Sequence, residues 1–173
     1  MDLLKLSEPL DIKYIDFRVQ SLNKGGYATI LAYKDARVDM KRLDEVVWPL
    51  NWKREHTRDN KNCIVSIYDS EKKEWVSKED TWTESNTEQE KGLASDSFKR
   101  ACFNWWIGRE LYDYPVIQIK LNDEEFEIDN WRPKATYKLN IKKWRWYSEF
   151  KDWKISVLAC RDEAEKMRFS YKA

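Results

Sequence analysis

The stretch Ser85–Ile107, SNTEQEKGLASDSFKRACFNWWI, decides how the rest of the chain is read. Ser85 and Glu88 have the spacing of a capping box, in which each side chain accepts a backbone N–H at the other's position, so a helix is predicted to start there. Glu88 and Glu90 put negative charge in its first turn, where the helix dipole favours it, and Gly108 supplies a stop. Ala94, Phe98, Ala101 and Trp105 recur at the spacing of one buried stripe. Lys91, Ser95, Lys99, Phe103 and Trp106 run along a second line, with Arg100 beside it. Cations among polar and aromatic groups suit a phosphate backbone. The same face also suits a solvated basic surface with its aromatics in an oligomer seam.

On the N-terminal side, Ile12–Leu22, the Gly25-Gly26 pair and Tyr27–Leu31 predict strand, turn and strand. In Asp35–Val47, residues Ala36, Met40, Leu43 and Val47 recur at helical spacing, and Pro49 closes the segment by disfavouring helix in the residue before it. Trp52–Arg58, Cys63–Asp69 and Trp75–Trp82 are β-prone and joined by short polar loops, which predicts an antiparallel meander with both faces of its middle strand covered. Beyond the central helix, Val116–Leu121 reads as a strand and the acidic Asn122–Asn130 as a loop or edge. Thr136–Ile141 and Trp144–Tyr147 are β-like, and Ile155–Ala159 pairs with Met167–Tyr171 around a turn at Asp162–Glu165, although the composition of Asp162–Arg168 also suits a helix. Met1–Leu10 has no strong period. The expected class is α+β, a hairpin and a three-stranded meander packed with helices. Residues 1–121 form the expected core, and residues 122–173 a basic, aromatic-rich β extension of the same domain.

A chain of 173 residues is long enough for a real core and leaves no room for a second catalytic domain. With 36% charged residues and a net charge of +1, it is not uniformly basic, so any nucleic-acid affinity must come from local arrangement. The charge is uneven: Trp131–Ala173 holds twelve Lys and Arg against five Asp and Glu, a net +7, which leaves −6 for the rest. Ten Trp and nine Tyr exceed what a core this size needs, and part of that area is expected at an interface or stacking surface. Cys63, Cys102 and Cys160 are scattered, and His56 is the one histidine, which argues for a reducing compartment and against structural zinc. No apolar run approaches the roughly 18 residues needed to cross a bilayer, so no membrane is expected and the cytoplasm is the expected location.

The usual spacings of phosphate-binding loops, nucleophile elbows and zinc proteases are absent, so the chain is expected to be no enzyme and to need no cofactor or metal. His56, in a β-prone run without partners, reads as structural. Asp123-Glu124-Glu125 reads as solvated charge, because neighbouring side chains on a strand point to opposite faces. What remains is binding. Lys99-Arg100 on the helix, Arg18 and Tyr33-Lys34 around the first hairpin, and the basic-aromatic run with Lys142, Lys143 and Arg145 combine cations for phosphates with aromatics for bases.

The order of hairpin, RLDEVVWPLNW, meander and TESNTEQEKGLASDSFKRACFNWWIGRELY resembles the annealing domain of the Rad-fifty-two superfamily of recombination proteins, especially its bacteriophage members. The resemblance covers roughly residues 12–114 and is most specific in LDEVVWPLNW and the E-K-G-x-A-S-D-S-F-K-R-A run. It implies a ring or helical homo-oligomer that binds single-stranded DNA without catalysis or ATP and anneals complementary strands in recombination or repair. It places Lys99 and Arg100 on the DNA backbone, adds Arg18 from the first strand, and makes Tyr33, with Lys34 beside it, the aromatic preceding the next helix. Where the family has a further basic residue this chain has Phe103, so stacking by Phe103 or charge from Lys91 would replace it. The implied partners are single-stranded DNA, annealed duplex intermediates and further copies of the chain, with a phage exonuclease or a host single-strand-binding protein as candidates. The implied location is the bacterial host cell. A protector that coats single strands without annealing them, and a structural or partner-binding oligomer without nucleic acid, are the alternatives.

Overall fold

The periodic segments condense into eleven strands and two α-helices in the computed structural model, which describes residues 2–82 and 92–173. Strands β1 (Ile15–Leu22) and β2 (Tyr27–Lys34) lead into α1 (Ala36–Val47), followed by β3 (Trp52–Thr57), β4 (Asn62–Asp69) and β5 (Glu74–Thr81). After α2 (Leu93–Asn104) come β6 (Ile117–Lys120), β7 (Phe126–Asp129), β8 (Arg132–Ala135), β9 (Arg145–Lys151), β10 (Lys154–Arg161) and β11 (Met167–Lys172). The class is α+β with antiparallel sheets. Among the described residues, no helix is long and apolar enough to cross a membrane. The chain divides into two compact units, Met1–Pro9 with Lys34–Arg109 and Leu10–Tyr33 with Glu110–Ala173.

In the first unit β3, β4 and β5 form the predicted meander, in the order β3-β4-β5. Cys63, Val65 and Ile67 of β4 are buried in a core with Leu43 and Val47 of α1 and Phe98, Ala101 and Cys102 of α2. Among the described residues the other face of β4 is shielded only by its sheet neighbours: Asn62 and Ser66 are buried, donating to Glu79 at 2.6 Å and sharing a bond with Ser77 at 2.9 Å, while Ile64 and Tyr68 are half-buried and the flanking β3 and β5 side chains on that face are exposed. Helix α1 starts where Asp35 accepts the Arg37 N–H at 2.8 Å, a side-chain cap of the usual kind. It stops at Trp48, which precedes Pro49 and takes φ 75°, ψ 141°, a conformation that costs a non-glycine residue about 1–3 kcal/mol. A short 3-10 helix, Leu3–Ser7, packs on α1 and buries Leu6, while Arg42 donates to the Lys5 and Glu8 carbonyls at 2.7 and 2.9 Å.

In the second unit the sheets run β1-β2-β6 and β11-β10-β9, with a β7-β8 hairpin. Gly26, in the turn between β1 and β2, has φ 75°, and a Cβ there would lie 2.6 Å from the Phe126 ring, so neither the backbone nor the space admits a side chain. The last hairpin is as predicted, β10 pairing β11 from Val157↔Lys172 to Arg161↔Met167. Arg168 of β11 is almost wholly buried and donates to both oxygens of Glu125, at 2.7 and 2.8 Å, and to Asp162 at 3.2 Å, while lying 4.5 Å over the Trp144 ring. Burial pushes Glu125 and Asp162 up, but the bonds from Arg168 and from neighbouring backbone N–H groups outweigh it and hold both carboxyls below their usual range.

Three expectations need correction, and the helical alternative for the Asp162 turn falls away. Glu125 is not solvated charge, because Arg168 and the Asn122 N–H claim it. Thr136–Ile141 is not a strand: it runs through turns into a 3-10 helix at Ile141–Lys143, and the partner of β7 is Arg132–Ala135 instead. The Asp162 turn is not helical, since Asp162 accepts the Ala164 and Lys166 N–H groups and closes a loop. The central helix stops at Asn104, short of Gly108, because the indole of Trp105 donates to the Val65 carbonyl at 3.0 Å and the Ile107 N–H returns to the Cys102 carbonyl. Its capping box at Ser85 and Glu88 lies outside the described residues. All three cysteines are buried and unbridged, and burial pushes the thiol of Cys63 up to about 11, that of Cys160 up to about 12 and that of Cys102 well up.

Candidate nucleic-acid interface

Lys99 and Arg100 follow each other on α2, so their side chains leave the helix roughly 100° apart. Lys99 turns back one helical turn to Asp96, with Nζ 2.6 Å from Oδ1, and Arg100 crosses to β5, with Nε 3.2 Å from Asp80 Oδ1. Both cations stay partly exposed. Asn104 donates to Asp80 Oδ2 at 3.3 Å and to the Glu79 carbonyl at 3.1 Å, so α2 grips β5 at two positions one turn apart. Lys78 completes the clasp by donating to the Asn104 carbonyl at 2.7 Å and resting 4.7 Å from the Trp105 ring centroid. Cations at the last carbonyls of a helix are favoured by its dipole. Of the expected buried stripe, Phe98, Ala101 and Trp105 are inside and Ala94 is half-buried, and Leu93, Ser97 and Cys102 widen it.

Lys34 corrects an expectation. It is 2% exposed, ion-paired with the fully buried Asp39 of α1, and its Nζ lies 4.3 Å from the Phe103 ring centroid. It therefore ties the end of β2 to α1 and offers no charge to a phosphate, and Phe103 serves as its lid. Burial pushes the Asp39 carboxyl up to about 6 despite Lys34 beside it. Lys91 lies outside the described residues. His56 faces the Ser97 hydroxyl at 3.5 Å, and burial followed by Arg54 lowers its pKa, which favours the neutral ring. Among the described residues no group of three His, Cys, Asp or Glu could hold a metal ion.

The second unit gathers other candidates. Arg18 of β1 lies over the ring of Tyr33 on β2, 5.4 Å from its centroid, a cation–π pair. Tyr33 in turn lines a cleft of about 490 Å³ with Phe17, Trp144, Trp146 and Lys142. That volume falls within the roughly 300–1,000 Å³ of small-ligand sites. Phe17 and Trp146 stack face to face there, 3.6 Å apart and 3° from parallel, and the buried indole N–H of Trp146 meets no acceptor among the described residues. The cleft is not purely basic: Asp16 lines it, and Lys13 at its edge is paired with Asp11 at 2.8 Å. Of the three tail cations, Lys143 pairs with Glu163 at 2.9 Å and Arg145 pairs with Glu165, while Lys142 has no carboxylate within reach among the described residues. Sequence reasoning found Arg18, Tyr33 and Lys142 separately and missed the Phe17–Trp146 stack, whose partners are far apart in the chain and carry no shared spacing.

These observations define a class, an α+β chain with antiparallel sheets, two α-helices, an ion-paired cationic helix face and a basic-aromatic cleft. The sequence matches no protein-family model, and no curated protein or solved structure matches it.

Proposed function

We propose that the chain binds single-stranded DNA and anneals complementary strands without ATP, working as a homo-oligomer in recombination or repair. The observation that carries this reading is the adjacent Lys99 and Arg100 on α2, both partly exposed and each held by one carboxylate. Both pairs keep contact with solvent, so a phosphate that takes the place of Asp96 or Asp80 exchanges one charge-assisted contact for another. Annealing needs strands held by their backbones with base edges free to test for complementarity, and cations presented by a rigid helix meet that need. The resemblance to the Rad-fifty-two superfamily adds the function class, and assembly would let weak contacts act together along one strand.

The same ion pairs favour a second reading, a partner-binding oligomer whose cations are satisfied within the chain and meet no nucleic acid. The Lys99→Ala, Arg100→Ala double variant separates the two. Alanine suits a helix, so fold and assembly are expected to survive while single-strand binding and annealing of dye-labelled complementary oligonucleotides collapse. A double variant with unchanged circular dichroism, unchanged mass and wild-type DNA affinity would remove α2 from the binding site.

A further inference from the structure

Two hairpins of the second unit turn in a way that their sequences do not favour. Asp129 pairs with Arg132 across the β7-β8 turn, and Lys151 with Lys154 across the β9-β10 turn, so each turn has two residues, Asn130-Trp131 and Asp152-Trp153. Both residues of each have positive φ: 46° and 66° in the first, 49° and 66° in the second. This is the I′ pattern, whose second position is ordinarily glycine because a side chain there strains the backbone. Here that position holds the largest side chain available, in both turns.

The strain is not offset by burial. Trp131 is 84% exposed and Trp153 is 48% exposed. The surroundings mix charges, with cations in reach of both rings: Arg132 follows Trp131 and Lys24 Nζ lies 5.9 Å from its ring centroid, Lys151 and Lys154 flank the Asp152-Trp153 turn, and the exposed acids Asp129 and Asp152 stand beside them. An indole held out on a strained turn with cations in reach has the chemistry of a single-strand contact, a π-face for an unpaired base and charge for its phosphate.

We infer that Trp131 and Trp153 are base-stacking residues for single-stranded DNA, carried on the tips of the β7-β8 and β9-β10 hairpins. This rests on the single-strand reading and extends it to residues 122–173. Stacking of this type discriminates little between bases, since every base has a π-face, so the contact suits a protein that must accept any sequence.

The inference makes stability and binding move in opposite directions at Trp131, which a merely structural residue does not do. Trp131→Gly removes the ring and relieves the backbone, so its thermal midpoint is expected to stay or rise, while its affinity for a labelled oligo(dT) strand falls by roughly 5- to 150-fold. Trp131→Phe keeps a π-face and is expected to keep most of the affinity. Trp153→Gly should lower the affinity in the same way, and the Trp131→Gly, Trp153→Gly double variant should lose more than either single variant; a Trp153→Gly variant that folds and binds like the wild type removes Trp153 from the contact. The measurements are anisotropy for binding, a thermal melt for the fold and light scattering for mass, all on the full chain. If the wild type binds oligo(dT) and Trp131→Gly binds equally well, the stacking role is overturned and single-strand binding stands. If Trp131→Gly changes the mass of the assembly and leaves binding unchanged, the turn is a seam between copies and the inference is equally overturned. If the wild type binds no single strand under any salt condition, both readings fall together.

Discussion

Replacing Arg168 by methionine should be the most damaging single change in the second unit. The Arg168 side chain is 3% exposed, and the carboxylates it satisfies, Glu125 and Asp162, are 11% and 15% exposed. Methionine keeps most of the apolar stem against Trp144, so the loss is the charge and its three bonds. Removing one partner of a buried ionic network costs about 3–5 kcal/mol, because the carboxylates left behind have lost solvent and keep only their backbone N–H bonds, with no opposite charge beside them. The triple variant Arg168→Met, Glu125→Gln, Asp162→Asn removes the stranded charges and should recover most of that loss. Urea titrations read the difference as a shift in midpoint at constant slope. The pH dependence gives a second reading. Glu125 and Asp162 have folded pKa values below their unfolded ones, so their contribution is complete above the ordinary carboxylate range near 4 and drains away as pH falls through the lowered values. In Arg168→Met the Asn122, Ala164 and Lys166 N–H groups still favour the ionised carboxyls while burial opposes them, so with the Arg168 bonds gone the loss of stability on the acid side should be smaller than in the wild type. A single variant that costs under about 1 kcal/mol, the figure for an exposed pair, would refute this account.

Gly26→Ala should destabilise by about 2 kcal/mol or more, from positive φ and from its Cβ meeting the Phe126 ring, and a thermal melt checks it. Lys34→Met strands the buried Asp39 and should cost about 3–5 kcal/mol in urea, while the folded fraction keeps its affinity for single-stranded DNA; a selective loss of binding would contradict the buried placement. Asp80→Asn releases Arg100 and removes a negative charge beside it, so single-strand affinity should rise by up to about fivefold at low salt and the gain should shrink as salt is added.

The meander, the first hairpin, α1 and the last hairpin were legible because alternation, helical period and Pro49 are local signals with one dominant solution. The end of α2 was not, since the bond from the Trp105 indole to the Val65 carbonyl is set by a strand forty residues away. For the same reason Glu125 looked solvated: nothing near it in sequence announces Arg168, forty-three positions on. The candidate site divides along this line. Residue type marked Lys99, Arg100, Arg18, Tyr33 and Lys142 as possible contacts, but whether a cation is exposed, paired or sealed in depends on tertiary neighbours, and Lys34 sits at the sealed extreme. The two turn tryptophans were visible as letters only. Their positive φ emerges from a two-residue register that the flanking strands impose.

The three silent thiols make the chain its own clock. Cys63 and Cys102 lie inside the first unit and Cys160 inside the second, all unbridged, and each is held in the unreactive protonated form by burial. A thiol reagent can therefore touch each only when the structure around it opens. Mass spectrometry of a timed alkylation would resolve the opening of one unit from the other without introducing a probe. It would show whether the two come apart as one cooperative event or in sequence, and whether a bound strand slows either.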